Sequence, residues 1–344
     1  MLNLLTDIPG IRVGHATDEI LRSGVTAILF DRPATAAVSI LGGSPASREA
    51  ALLDLDMAVE QVHAVVLSGG STFGLDATAG VQAALREDFA VLPAVPYARI
   101  PLVVQASLFD LVNGGDKAWG RYSPYADLGH GAARAAQAGV FTLGSVGAGT
   151  GATTATTKGG LGSASMVTPQ GHLVAAVVAV NAVGTASIGD GPHFWAAPFE
   201  RDAEFGGRGL PSFTQDDLSL RVKLADVWGT TIGLVATDAI LTPAQAKRLA
   251  ILAQDGVARA VLPAHLPRDG DTIFGVSTGG RPLGDGHDPF SDLCLAATLV
   301  TARAVARGVF EARSRARPGE QACWHTLFGA GHPILSTSIG SDHG

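Results

Sequence analysis

Cysteine is scarce in this chain: 344 residues carry two, Cys294 and Cys323, in separate segments. A disulfide framework and a zinc-type cysteine spacing are therefore excluded, and a reducing cytoplasm is the default compartment. The ten histidines form no ligand spacing. His325 and His332 stand seven apart across Gly329 and Gly331, so no metal site and no cofactor are expected. Charge is sparse as well, at 16% of residues, with a net value of −7 and arginines scattered singly. A nucleic-acid partner would need a basic footprint, and none is present. Uninterrupted apolar runs such as Leu173 to Val180 are far shorter than the roughly 20 residues that cross a bilayer, so no membrane association is expected. The start, Met1-Leu2-Asn3-Leu4-Leu5-Thr6-Asp7, has no basic leader and no long apolar segment, which argues against a signal peptide. No linker rich in proline, serine or charge and no internal repeat divides the chain, so one domain over 1–344 is expected.

What is abundant is apolar material, 47%, together with 44 glycines. This suits a layered α/β architecture with close backbone packing. Gly24 to Phe30, Ala64 to Leu67, Leu173 to Val183, Thr231 to Thr237 and Thr272 to Ser277 read as strands. Several are apolar on both faces, so the sheets should be covered on both sides. Helical spacing marks Ser47 to Leu55, Thr72 to Arg86, Leu128 to Ala138, Pro243 to about Leu262, opened by Thr242 as N-cap, and Asp292 to Arg313. Residues 200–217 read as a mobile loop.

The junction Gly229-Thr230-Thr231 carries the most chemistry. It lies where the polar stretch Arg221 to Trp228 meets the apolar run Ile232-Gly233-Leu234-Val235-Ala236. Gly-Thr at a strand start is also an ordinary turn followed by a β-branched residue. It is equally what a self-cleaving hydrolase needs: a hydroxyl beside the preceding carbonyl, and a glycine that lets that carbonyl bend. Cleavage would turn Thr230 into a chain start whose Oγ1 is the nucleophile. Its own α-amine, with an ordinary pKa of about 7.7–8.0, would be the base.

Six blocks in order extend the signal: Leu5 to Asp18 (LTDIPGIRVGHATD), Leu67 to Asp76 (LSGGSTFGLD), Gly147 to Ala152 (GAGTGA), Val180 to Gly184 (VNAVG), Gly229 to Ile232 (GTTI) and Asp269 to Phe274 (DGDTIF). On these blocks the chain resembles the L-aminopeptidase/D-amidase-esterase family, which also holds the β-peptidyl aminopeptidases and the nylon-oligomer hydrolase. The resemblance runs nearly end to end. It implies a four-layer αββα sandwich, a self-processed hydrolase with an N-terminal nucleophile, and a cut between Gly229 and Thr230 that yields chains 1–229 and 230–344.

The same resemblance assigns roles residue by residue. Thr230 is the nucleophile and Asn181 the oxyanion-hole donor. Asp269 and Asp271 match an acidic pair of the nylon-oligomer hydrolase; taken alone they read as a solvated Asp-Gly turn, though like charges held close would raise one pKa. Lys158 reads as a surface lysine by itself, while its match to a lysine of that hydrolase implies an active-site place. Phe109 departs from the family, where some members carry Tyr, and is expected to line the substrate pocket without a hydroxyl donor. The Gly147-Ala148-Gly149-Thr150-Gly151-Ala152 run fits a dinucleotide fingerprint only loosely, leads into a poor helix start, and is expected to be a tight loop with Gly149 bordering the pocket. The implied activity is hydrolysis of amide bonds in small peptides or amides, in a tetramer of processed αβ units. Two alternatives remain open at this level: acyl transfer of the ornithine-acetyltransferase type, and a non-catalytic small-molecule-binding relative.

Overall fold

In the computed structural model, residues 1–87, 100–223, 228–285 and 288–329 are described. Nine strands and four longer helices build the frame: β1 (Ile11–Asp18), β2 (Ser23–Ile40), β3 (Ala46–Arg48), β4 (Gln61–Ser68), α1 (Ala77–Glu87), β5 (Val103–Ser107), α2 (Tyr125–Arg134), β6 (Leu161–Val167), β7 (Leu173–Asn181), β8 (Thr230–Ala239), α3 (Pro243–Ala260), β9 (Thr272–Arg281) and α4 (Pro289–Glu311). Hydrogen bonds order the strands β3-β5-β4-β2-β9-β8-β7-β6, with β1 paired to β2. The pivot is β2, whose 18 residues serve two layers. Its first half pairs with β1 and β4 and its second half with β9, with an irregularity between Leu29 and Ala34 around Pro33. Proline has no N–H for a ladder, so a bulge there lets the strand turn from one sheet into the other.

Alternation of side chains turns this ladder into four layers. Ile28, Phe30, Val65, Leu67, Val104 and Ala106 from the first sheet share one apolar cluster with Ala175, Val177, Ala179, Ile232, Leu234, Ala236, Phe274 and Val276 from the second. The outward residues of the first sheet, Val25, Ala27, Leu29, Ala64 and Val66, meet α1 and α2. Those of the second, including Val174, Ala176, Val178, Val180 and Val235, meet α3 and α4. Helices thus cover both outer faces of two stacked sheets, an αββα sandwich. The β4-β5 and β8-β9 pairs are parallel, and each is bridged by a helix, α1 and α3 respectively. Thr242 caps α3 by accepting from the Gln245 N–H, and Pro243 occupies the first turn.

Two sequence expectations need correction. Ser47 to Leu55 is not a helix: Ala46–Arg48 forms an edge strand on β5 and Ala50–Leu53 a single 3-10 turn. The apolar spacing there serves burial of Leu53 at the sheet edge instead of a helical face. The 200–217 segment is anchored at its start, because Phe205 is fully buried and Glu204 pairs with Arg303 at 2.5 Å. Although its apolar runs are broken by Asp292, Arg303 and Arg307, α4 is 23 residues long, with a mean hydropathy of 1.5, enough by length and composition to cross a bilayer. Most of it is buried between α3 and the second sheet, as a core helix is. Both cysteines are free. Among the described residues no group of three or more His, Cys, Asp or Glu gathers as a metal set, and His332 lies outside the described residues.

Candidate active site

The β7-β8 ladder ends on Asn181 opposite Thr230. Directly opposed residues of an antiparallel pair project to the same face, with Cβ atoms about 4.5–5.5 Å apart. Two residues further along the same face stand Ala179 and Ile232, which belong to the cluster between the sheets. Thr230 and Asn181 therefore open at the mouth of the inter-sheet space. Thr230 is buried, and its hydroxyl donates to the carbonyl oxygen of Gly229. The same carbonyl accepts the Gly270 N–H at 3.1 Å, while the Gly229 N–H donates to the Arg268 carbonyl at 3.2 Å. Gly229 is thus held through both its N–H and its carbonyl by the loop that carries the acidic pair. Gly229 itself leaves no room for a side chain: a Cβ would lie 2.3 Å from the Val183 nitrogen and 2.7 Å from the Ala182 carbonyl carbon. Residues 224–227, in the polar stretch before the junction, lie outside the described residues.

Asp269 and Asp271 are both buried. Asp269 accepts the Val183 N–H at 2.9 Å and the Leu266 N–H at 3.0 Å. Asp271 accepts the Thr231 N–H at 2.6 Å and faces His265 Nδ1 at 2.8 Å. The two carboxyls therefore flank the start of β8, one holding the backbone after Asn181 and the other the residue after Thr230. Burial first, and the Asp271 charge second, push Asp269 up to about 6. For His265 burial works downward, but the Asp271 hydrogen bond and charge outweigh it and raise the imidazole.

Asn181 donates from Nδ2 to the Phe109 carbonyl at 2.7 Å. Its Oδ1 accepts the Thr153 N–H and the Lys223 ammonium, each at 3.0 Å. Burial lowers the Lys223 ammonium to about 7, against the upward pull of Asp269 and Asp110. Lys223, His265 and the Gly270 N–H were not singled out from the sequence. One of only four lysines, seven residues before the junction, was the available signal for Lys223; nothing in spacing marked the other two.

Two cavities meet at Phe109. One, of about 310 Å3, is lined by Thr230, Gly229, Trp228, Phe109, Ser107 and Ser44 among others. The other, of about 250 Å3, holds Lys158, Lys223, Asp110, Arg22 and Glu320. Lys158 thus sits in the second cavity and not in the one lined by Thr230. Its ammonium is bonded to the Thr150 carbonyl at 3.0 Å and paired with Glu320 at 3.4 Å, and burial lowers its pKa against the Glu320 charge. Gly149 lines neither cavity: it is buried in a 3-10 turn against Leu161, while its neighbours Thr150 and Gly151 reach the second cavity.

The four-layer sandwich brings a buried threonine, an asparagine and paired carboxyls to one strand mouth, and comparison with known proteins gives the class. The model of peptidase family S58 matches residues 3–322, and the chain belongs to that family. An uncharacterized aminopeptidase of Mycobacterium tuberculosis is 38% identical over 293 residues, covering 81% of this chain and 82% of that protein. A 6-aminohexanoate-oligomer endohydrolase of an Agromyces species is 29% identical over 282 residues, covering 79% and 74%. Among solved structures, a Burkholderia β-aminopeptidase superposes with a TM-score of 0.69 at 24% identity, covering 96% of this chain and 92% of that one. The L-aminopeptidase D-Ala-esterase/amidase of Ochrobactrum anthropi, described as a variant of the Ntn hydrolase fold, also gives 0.69, at 22% identity and 95% and 92% coverage. This protein is a peptide-bond hydrolase.

Proposed function

We propose that the chain cuts itself between Gly229 and Thr230 and then hydrolyses amide bonds of short peptides or amino-acid amides with Thr230 as nucleophile. In the first reaction Thr230 Oγ1 attacks the Gly229 carbonyl carbon and the C–N bond breaks. The hydroxyl proton ends on the departing Thr230 nitrogen, and the resulting ester is opened by water. The Gly270 N–H, 3.1 Å from the carbonyl oxygen, is aimed where negative charge develops. In turnover the freed α-amine accepts the proton from Oγ1 and returns it to the leaving amine. Asn181 stabilises the oxyanion with its second amide hydrogen, and Asp269 and Asp271 hold the start of β8 in place. The cavity of about 310 Å3 beside Thr230 suits a small substrate.

The observation that carries this reading is the junction itself: the threonine hydroxyl rests on the carbonyl it must attack, and a backbone N–H already polarises that carbonyl. A denaturing gel tests it. Purified protein is expected to run as two fragments whose second starts at Thr230, and Thr230→Ala as one. Mass spectrometry that finds only full-length chain in an active preparation would defeat it. Cytoplasmic residence and assembly of processed units into a tetramer belong to the same proposal, and sedimentation of the cut protein tests the second.

A further inference from the structure

Lys223 has no part in the scheme above, yet its surroundings are specific. Its side chain is buried, and its Nζ lies 3.0 Å from both the main-chain oxygen and Oδ1 of Asn181. Its own N–H donates to the Val183 carbonyl at 2.9 Å. The segment that leads into the cut is thereby tied to the end of β7. An asparagine amide fits density or space two ways round, and its partners decide which. Here the Thr153 N–H and the ammonium meet one end, and the Phe109 carbonyl meets the other. The oxygen must face Lys223 and the NH2 must face away from it. Because Asn181 stands opposite Thr230 in the ladder, this choice sets where the amide hydrogens point relative to the nucleophile. A buried cation is costly to keep, and Asp269 and Asp110 are the charges that favour its retention.

We propose that Lys223 is a positioning residue, clamping both oxygens of Asn181 so that the amide presents its N–H to the oxyanion in self-cleavage and again in turnover. The inference rests on the reading of Thr230 as the self-cleaving nucleophile. The test follows fragment appearance after cell-free synthesis, and kcat and KM on an amino-acid p-nitroanilide, for wild type, Lys223→Met, Lys223→Arg, Asn181→Ala and the Lys223→Met/Asn181→Ala pair. Lys223→Met is expected to slow both cutting and kcat by about tenfold or more with KM within about twofold, and Lys223→Arg to recover most of the loss. On the Asn181→Ala background Lys223→Met should cost nothing further, because its effect passes through that amide. Wild-type rates in Lys223→Met, or a loss that is undiminished on the Asn181→Ala background, would overturn the assignment. A wild-type chain that stays whole defeats the Thr230 reading instead, so the two failures are distinguishable. If Lys223→Met does not fold, Lys223→Leu, which likewise removes the donor, makes the same comparison.

Discussion

Position 229 admits no side chain, because the backbone of Ala182 and Val183 occupies the place of a Cβ. Gly229→Ala is expected to push the scissile carbonyl off the Gly270 N–H. Self-cleavage should slow at least tenfold, and stability should fall by about 1–3 kcal/mol, the usual cost of overpacking; fragment kinetics and urea unfolding measure the two. Asn181→Ala removes a side-chain donor, and kcat should drop by roughly 10²–10³, or about 2.7–4 kcal/mol. The ionisations at this site also set a pH response. Burial and Asp271 raise Asp269 from 3.8 to about 6, so the stability its protonated form contributes is present at acid pH and lost as pH rises through about 6. Lys223 is lowered from 10.5 to about 7, so the stability its neutral form contributes is present above 10.5 and lost as pH falls through about 7. The Asp269 carboxylate and the Lys223 ammonium therefore overlap near neutral pH, in the company of Asp110 and Asp271, with Lys158, Glu320 and Arg22 in the adjoining cavity. Self-cleavage is therefore expected to rise through about pH 6 and fall through about pH 7. Lys223→Met should abolish the upper limb and Asp269→Asn the lower; a flat profile from pH 5 to 8 contradicts this.

The elements that place these residues were mostly legible as elements. β7, β8 and β9 announce themselves by β-branched apolar runs, and α3 by Thr242-Pro243 and its helical spacing. The miss at Ser47 to Leu55 has a physical cause: a short apolar run beside a sheet edge satisfies either period, and only pairing with β5 decided it. Contact between elements was not legible. Gly162 in β6 lies under α4, where a Cβ would stand 1.9 Å from the Ala304 carbonyl oxygen and 2.4 Å from the Gly308 nitrogen. Gly162→Ala should cost about 1–3 kcal/mol of stability through overpacking, read as a lower melting temperature, while leaving the cut at Thr230 intact, because α4 lies on the far side of the second sheet from the inter-sheet mouth. Equal loss of processing and stability would show that the layers are not independent in this way.

Across the whole molecule, the proposed cut divides the chain without dividing the core. β8, which begins at Thr230, and β9 lie between β7 and β2, both before it, and the inter-sheet cluster draws on both portions. The fragments 1–229 and 230–344 are accordingly expected to co-elute in native size exclusion and to separate only in denaturant; separation in native buffer would contradict it. Sequence by itself determined the main strands and helices and, through six motifs in order, the family resemblance that implied the stacked sheets and the candidates Thr230, Asn181, Asp269 and Asp271, since motif order and burial period are read along the chain. Only the tertiary structure decided that Lys158 and Gly149 stand apart from the cavity at Thr230, that the Gly270 N–H donates to the Gly229 carbonyl, and that Lys223 grips Asn181. Those facts depend on distances between segments remote along the chain, and no spacing within one segment encodes them.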